Sequence, residues 1–259
     1  MVDYEMIKYK VADGVATVTL ARPNRLNAIG YPMMSELTHS LDRLVTENAR
    51  VLILTGEGRM FSSGGDLTTV PPNPLDIGEG IETVWNPYME KLMDLPIPVI
   101  SALNGPAIGV GASFALAGDF VIMERSAYFL LAFIRLGLIP DAGATWLLTK
   151  ALGRQRATEA MMLGEKISSQ QAQDFGLAYR IVEDGDGGVT ARQLAIRLAS
   201  GPTKAYGLLR RSIRTALDGT LTESLRAERI YQRDAGRTSD YQEALAAFHE
   251  KREASFTGS

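Results

Sequence analysis

Apolar side chains recur along this chain with two different periods, and the switches between them predict its elements. Met6 to Lys10 and Val15 to Leu20 flank Asp13-Gly14, which predicts two strands joined at a tight turn, a β-hairpin. Past the loop Arg22-Pro23-Asn24-Arg25 the spacing changes. Met34, Leu37, Leu41, Leu44 and Val45 recur with the helical period, so a helix with one apolar face is expected. Val51 to Leu54 is again a short β run, closed by Thr55-Gly56. Pro71 to Gly80, with three prolines and two glycines, predicts no regular element and is long enough for a mobile lid. An amphipathic helix follows through Met93; Pro98 to Leu103, Phe120 to Met123 and Tyr128 to Phe133 then read as strands, and Gly109 to Ala117 as a helix. The longest apolar run, Ala127 to Ile134, reads as a buried strand and is far short of the ~20 residues that a membrane helix requires. From Ala142 helices dominate, apart from a strand at Leu177 to Val182 and a turn at Asp184 to Gly188. Beyond Pro202 the pattern is helical, and Tyr241, Leu245 and Phe248 form a stripe on the last helix. This alternation predicts an α/β fold with a core over residues 1–200 and a helical region over residues 201–259.

Composition narrows the chemistry. The 259 residues are 46% apolar and 22% charged, ordinary values for a folded globular chain. A formal charge of −3 offers no basic field to attract a polyphosphate backbone, which argues against nucleic acid as a partner. The absence of cysteine excludes disulfides, thiolate metal sites and thiol nucleophiles. Together with an acidic start, Met1 to Glu5, that lacks the pattern of a secretion signal, it makes the cytoplasm the expected location and no membrane a partner. His39 and His249 are the only histidines, each inside a helical pattern away from any glycine-rich loop. Histidine-dependent triads and two-histidine zinc motifs therefore have almost no material, no metal is expected, and a general acid or base should be a carboxylate.

Three segments, each just past a strand, could carry chemistry. In Phe61-Ser62-Ser63-Gly64-Gly65-Asp66-Leu67 the paired glycines allow a ligand close to main-chain N–H groups, as an oxyanion cradle would; a plain turn with Asp66 capping a helix is the alternative. Asn104-Gly105-Pro106-Ala107-Ile108-Gly109-Val110-Gly111 leads into an apolar helix. Free N–H groups gather at such a start, although a tight strand-to-helix turn explains the glycines equally well. It is not a dinucleotide fingerprint, since Phe114 stands at the third glycine position. In Leu136-Gly137-Leu138-Ile139-Pro140-Asp141-Ala142-Gly143, Asp141 is either a helix cap or a base whose pKa is raised by Leu138, Ile139, Phe133 and Trp146 around it. Trp146 itself reads as core. Asp184-Gly185-Asp186-Gly187 lacks the rest of a calcium loop and reads as a turn. Arg22 and Arg25 are either solvated charges or phosphate contacts.

These segments, in this order and preceded by Asn27-Ala28, resemble the crotonase superfamily of enoyl-CoA hydratases and isomerases over effectively the whole chain. The resemblance implies a crotonase-like spiral of strand–strand–helix (ββα) units, followed by helices that make trimer contacts in a homotrimer or a dimer of trimers. It also implies a coenzyme A thioester enolate held by two backbone N–H groups, here those of Gly65 and Val110. Coenzyme A would be part of the substrate, and no further cofactor is implied. Hydratases of the family use two glutamates, at positions that here read Ser113 and Phe133, while family isomerases carry an acid at the position of Asp141. Trp85-Asn86-Pro87, Ala132-Phe133 with Arg135 to Asp141, and the tail from Tyr231 to Gly258 are similar to the branch that rearranges ring epoxides of phenylacetyl-CoA.

The resulting expectation is an acyl-CoA isomerase in which Asp141 moves a proton between two carbons. Ser63, Gly64, Asp66, Leu67, Gly109 and Phe133 would surround the acyl thioester, and Arg22 and Arg25 would meet the CoA phosphates. A hydratase, lyase or hydrolase of the same family and a non-catalytic acyl-CoA-binding protein are the alternatives.

Overall fold

The computed structural model describes residues 4–70 and 76–259. Asp13 and Gly14 both adopt left-handed backbone angles, φ 53° and 71°, as a two-residue hairpin turn requires if its twist is to match the flanking strands. β1 (Ile7–Ala12) and β2 (Val15–Leu20) pair antiparallel across it, with Ala12 opposite Val15. From β2 onward every neighbour is parallel. β3 (Val51–Gly56), β4 (Val99–Leu103), β6 (Phe120–Glu124) and β9 (Arg180–Val182) complete a six-stranded sheet in the order β1-β2-β3-β4-β6-β9.

Parallel strands are covered on both faces, and β3 shows how its sequence meets that demand. Leu52 and Leu54 enter one core, and Val51 and Ile53, pointing the other way, enter a second. The first core is closed by α1 (Tyr31–Thr46) through Met34, Leu37, Leu41 and Leu44, and by Leu92 of α3 (Asn86–Asp94). Val45, expected on the buried face of α1, is 49% exposed. The second core lies under α7 (Gly187–Ala199), whose Ala191 and Ala195 allow it close to the sheet.

A second, smaller sheet runs β5 (Ala107–Ile108), β7 (Tyr128–Leu130), β8 (Lys166–Ser168). Single parallel bridges extend it, Ser62 to Ala107 and Ile29 to Gly65. The chain therefore makes successive turns of a spiral: a strand of the large sheet, a short strand or bridge in the small one, then a helix. β2 leads through Ile29 to α1, β3 through Ser62 to Gly65 towards α3, β4 through β5 to α4 (Val110–Leu116), and β6 through β7 to α5 (Ala144–Met162). α6 (Ser169–Asp174) joins β8 to β9, and α8 (Thr203–Asp218), α9 (Leu221–Ala235) and α10 (Ser239–Glu250) follow α7. Arg50, just before β3, donates to Thr203 Oγ1 and to the Gly201 and Phe256 carbonyls, which fastens the last helices and the tail to the spiral.

Several expected elements are revised. Ala127 to Ile134 is not one strand: β7 ends at Leu130, where its ladders to both β5 and β8 stop, and Ala132–Leu136 coils into a 3-10 turn. Leu177 to Val182 is strand only over Arg180–Val182. Of the lid expected over Pro71 to Gly80, residues 71–75 lie outside the described residues. Of the rest, Asp76 and Ile77 are irregular as expected, but Gly78–Gly80 is helical: this α2 runs through a π-helical turn, Ile81–Trp85, into α3. A side chain at position 80 would run into the Tyr31 hydroxyl, so glycine there serves close packing inside a helix. β8 carries no apolar run and was not anticipated. Among the described residues no helix is long and apolar enough to cross a membrane.

Candidate active site

Asn27 organises the loops at the end of the spiral's first two turns. It is fully buried in a left-handed conformation, φ 54°. Its Nδ2 donates to the Glu57, Met60 and Phe61 carbonyls, and its Oδ1 accepts from the Arg22 N–H. Ser62 Oγ then donates to the Asn27 carbonyl at 2.8 Å and accepts from the Gly64 N–H at 3.1 Å. The loop after β3 is thus locked to the loop after β2 by buried polar groups that would be costly to leave unpaired.

Within this locked loop the N–H groups of Ser62, Ser63, Gly64 and Asp66 are all engaged. Ile29 N–H donates to the Gly64 carbonyl at 2.8 Å and Asp66 N–H to the Ile29 carbonyl at 2.9 Å, the pattern of a parallel bridge. The Gly65 N–H between them has no acceptor among the described residues. The next turn of the spiral repeats the arrangement. Gly109 N–H donates to the Leu130 carbonyl at 2.9 Å, whereas the Val110 N–H, first of α4, has no acceptor within its helix and none outside it among the described residues. The two turns touch. Gly64 (φ 96°) has no room for a side chain, since a Cβ would lie 2.9 Å from the Ile108 carbonyl oxygen, and Gly109 (φ 54°) lies against both Gly64 and the Phe133 ring.

Asp141 reaches the same neighbourhood from the following turn. Ser113, one helical turn past Val110 and fully buried, donates to the Asp141 backbone carbonyl at 3.0 Å. The Asp141 carboxyl does not cap α5: that helix starts after Gly143 without a side-chain cap, and the Ala144 N–H bonds instead to the Asp141 carbonyl at 3.1 Å. One carboxyl oxygen, Oδ1, is buried with no hydrogen-bond partner. Burial away from water pushes this carboxyl up to about 6, opposed only by its own backbone N–H. Ile139 does not contribute to that burial, because it is 81% exposed. Trp146 is not core either: it is half-buried, with Nε1 donating to Asp218 at 3.3 Å. It lines a cavity of about 890 Å³ between α3, α5, α8 and α9 that includes Met89, Met93 and Arg214. The two free N–H groups and Asp141 do not line that cavity, although Gly143 does.

The remaining candidates divide between structure and rim. Asp66 is buried; it accepts from Thr68 N–H and Oγ1 and pairs with Arg22 at 2.9 Å, and these bonds hold its carboxyl below the usual carboxylate range. It caps the 3-10 turn Leu67–Thr69, as the alternative reading of that segment has it. Arg22 also donates to the Ala28 carbonyl, so the guanidinium is a clamp inside the protein, while Arg25 is exposed. Leu67 and Gly65 are exposed at the rim, Ser63 is half-buried, and Phe133 is buried on the 3-10 turn beside Gly109. The bracing role of Asn27 and the bond from Ser113 were not read from the sequence; an asparagine ahead of the glycine-rich loops was the one visible signal.

The model of the enoyl-CoA hydratase/isomerase family matches residues 10–259. The 1,2-epoxyphenylacetyl-CoA isomerase of Escherichia coli K12 is 44% identical over 98% of this chain and 99% of its own length. A Rhodobacter capsulatus protein named "Probable enoyl-CoA hydratase" is 38% identical over 98% of this chain and 99% of its own. The crystal structure of an enoyl-CoA hydratase from Bacillus anthracis superposes with a TM-score of 0.93 at 32% identity, covering 98% of this chain and 100% of that one.

Proposed function

The chain belongs to the enoyl-CoA hydratase/isomerase family and has its crotonase fold, and from that premise we propose that it is an acyl-CoA isomerase working through a thioester enolate with a single carboxylate base. The observation that carries the reading is the presence, on successive turns of the spiral joined by the Gly64–Gly109 contact and the Ser113–Asp141 bond, of two unengaged backbone N–H groups and one desolvated carboxyl. The thioester oxygen accepts from Gly65 and Val110. As Asp141 removes a proton from carbon, the electron pair moves onto that oxygen, where each preorganised donor is worth about 3 kcal/mol in the transition state. Asp141 then returns the proton to a different carbon, and the double bond has moved. A carboxyl held near 6 is ionised at neutral pH and still a stronger base than an ordinary aspartate.

Water addition needs a second group to give a proton. The Ser113 hydroxyl is committed to a carbonyl and Phe133 has no acid, which favours migration over hydration. The E. coli relative makes aromatic-ring acyl groups the first substrates to try. Arg25 is the exposed cation free to meet the CoA phosphates, whereas Arg22 and Asp66 support the loop from within. Exposed apolar residues on α8 and α9, including Leu209, Ile213, Leu221 and Leu225, support assembly as a homotrimer or dimer of trimers. The decisive experiment is Asp141→Asn assayed with a 3-enoyl-CoA. Double-bond migration is expected to vanish while binding of the CoA ester persists; retained turnover refutes the base. Brisk hydration of crotonyl-CoA by the unmodified protein would favour the hydratase alternative. Failure to exchange acyl-CoA α-protons with solvent would leave only a binder.

A further inference from the structure

We propose that Ser113 is a positioning residue for this reaction: its hydroxyl joins the helix that presents the Val110 N–H to the loop that presents the Asp141 carboxyl, and so sets the distance between oxyanion donor and base. The inference rests on the isomerase reading above and adds to it a residue that acts through the main chain of Asp141.

A serine inside a helix ordinarily satisfies its hydroxyl locally, by donating to a carbonyl of the preceding turn. Ser113 is fully buried on α4 and instead reaches across 28 residues of sequence to the Asp141 carbonyl, 3.0 Å away. That carbonyl is a hub, since it also accepts the Ala144 N–H that begins α5. Among the described residues no other side chain bonds to Asp141, and the buried carboxyl oxygen has no partner to orient it. Its direction is therefore set through the main chain.

The main chain at this point is under tension. Ala142 and Gly143 follow Asp141 in successive left-handed conformations, φ 47° and 76°, and an alanine holds such an angle only where its surroundings impose it. Two bonds to one carbonyl supply that constraint, and the one from Ser113 comes from the element that carries the oxyanion donor. With donor and base on different turns of the spiral, a tie between them is what keeps their spacing independent of small movements of either loop. A misplacement of about 1 Å between reacting groups typically costs on the order of 100-fold in rate.

The test compares Ser113→Ala, Ser113→Thr and Asp141→Asn for isomerisation of a 3-enoyl-CoA, with melting temperature as the check on folding. Ser113→Ala is expected to lower kcat by roughly 10- to 100-fold with KM within about twofold and melting little changed. Ser113→Thr, which keeps the donor, is expected to recover most of the loss. An alanine variant with kcat within twofold of the unmodified protein overturns the positioning role. So does a loss shared equally by the threonine variant, or one that appears in KM or in melting instead. If Asp141→Asn still isomerises, the parent reading fails; if that variant is inert while Ser113→Ala is unaffected, only the role of Ser113 falls.

Discussion

A carboxyl kept partly out of water should weaken the fold that holds it, and Asp141→Asn measures by how much. The carboxyl is raised from 3.8 to about 6 by burial, so the folded protein binds this proton more tightly than the unfolded chain does. The sign is the reverse of the usual aspartate. Below the unfolded value near 4 both states are protonated and ionisation costs the fold nothing; the penalty grows between 4 and 6 and is complete above 6. Two pKa units correspond to about 3 kcal/mol, and partial contact with water reduces this to roughly 1–2 kcal/mol. An amide of the same shape escapes the penalty. Asp141→Asn should therefore melt about 2–8 °C higher than the unmodified protein at pH 8, by the usual scaling for a chain of this length. The gap should shrink by about half at pH 5 and narrow further towards pH 4. Scanning calorimetry of both proteins across this range needs no substrate, so the result is independent of the reaction. If the variant is no more stable at pH 8, or the gap is the same at pH 5 as at pH 8, the carboxyl is not held above its ordinary range and the argument for a tuned base collapses.

Three further outcomes follow from the same geometry. If Asp141 is the base, kcat/KM for double-bond migration should fall on the acid side with a midpoint at about 6, as the carboxyl of the free enzyme takes up the proton that it must otherwise accept from substrate; a midpoint near 4 would show an unperturbed carboxyl. Gly64→Ala places a Cβ 2.9 Å from the Ile108 carbonyl at a left-handed φ of 96° and must shift the Gly65 N–H. Loss of that donor should lower kcat by about 10²–10³ with a much smaller change in KM, and an unaltered kcat would remove Gly65 from the oxyanion hole. Asn27→Ala strands buried carbonyls of the loop after β3 and should cost about 3 kcal/mol, read as a lower denaturant midpoint with an unchanged slope; a loss under 0.5 kcal/mol would mean the loops are held by something else.

The large sheet and its helices were legible because their signals are local. The Asp13-Gly14 turn, the helical period of α1 and the uninterrupted apolar run of β3 each describe an element without reference to the rest of the chain. The small sheet was not legible for the converse reason: β5, β7 and β8 are two or three residues long, and Ile29, Ser62 and Gly65 join by single bridges. Such strands exist only through their partners, so Ala127 to Ile134 read as one long strand where the ladder ends at Leu130. In the candidate site, the positions of the free N–H groups and the acid followed from the motif order. Their state did not. Whether Asp66 or Asp141 is the available carboxyl depends on Arg22, 44 residues away from Asp66, and on the burial around position 141.

The spiral delivers Gly65, Val110 and Asp141 one after another along the chain, each from its own turn and each at the end of a separate loop. A lengthened loop on one turn can bulge outward without shifting its neighbours, because register between turns is kept by the ladders of the large parallel sheet and the short bridges of the small one rather than by the loops themselves. On the proposed reading, new acyl groups can thus be accommodated by rebuilding a single tier while the grip on the carbonyl stays as it was, in the way that one shelf of a rack is raised without disturbing its uprights.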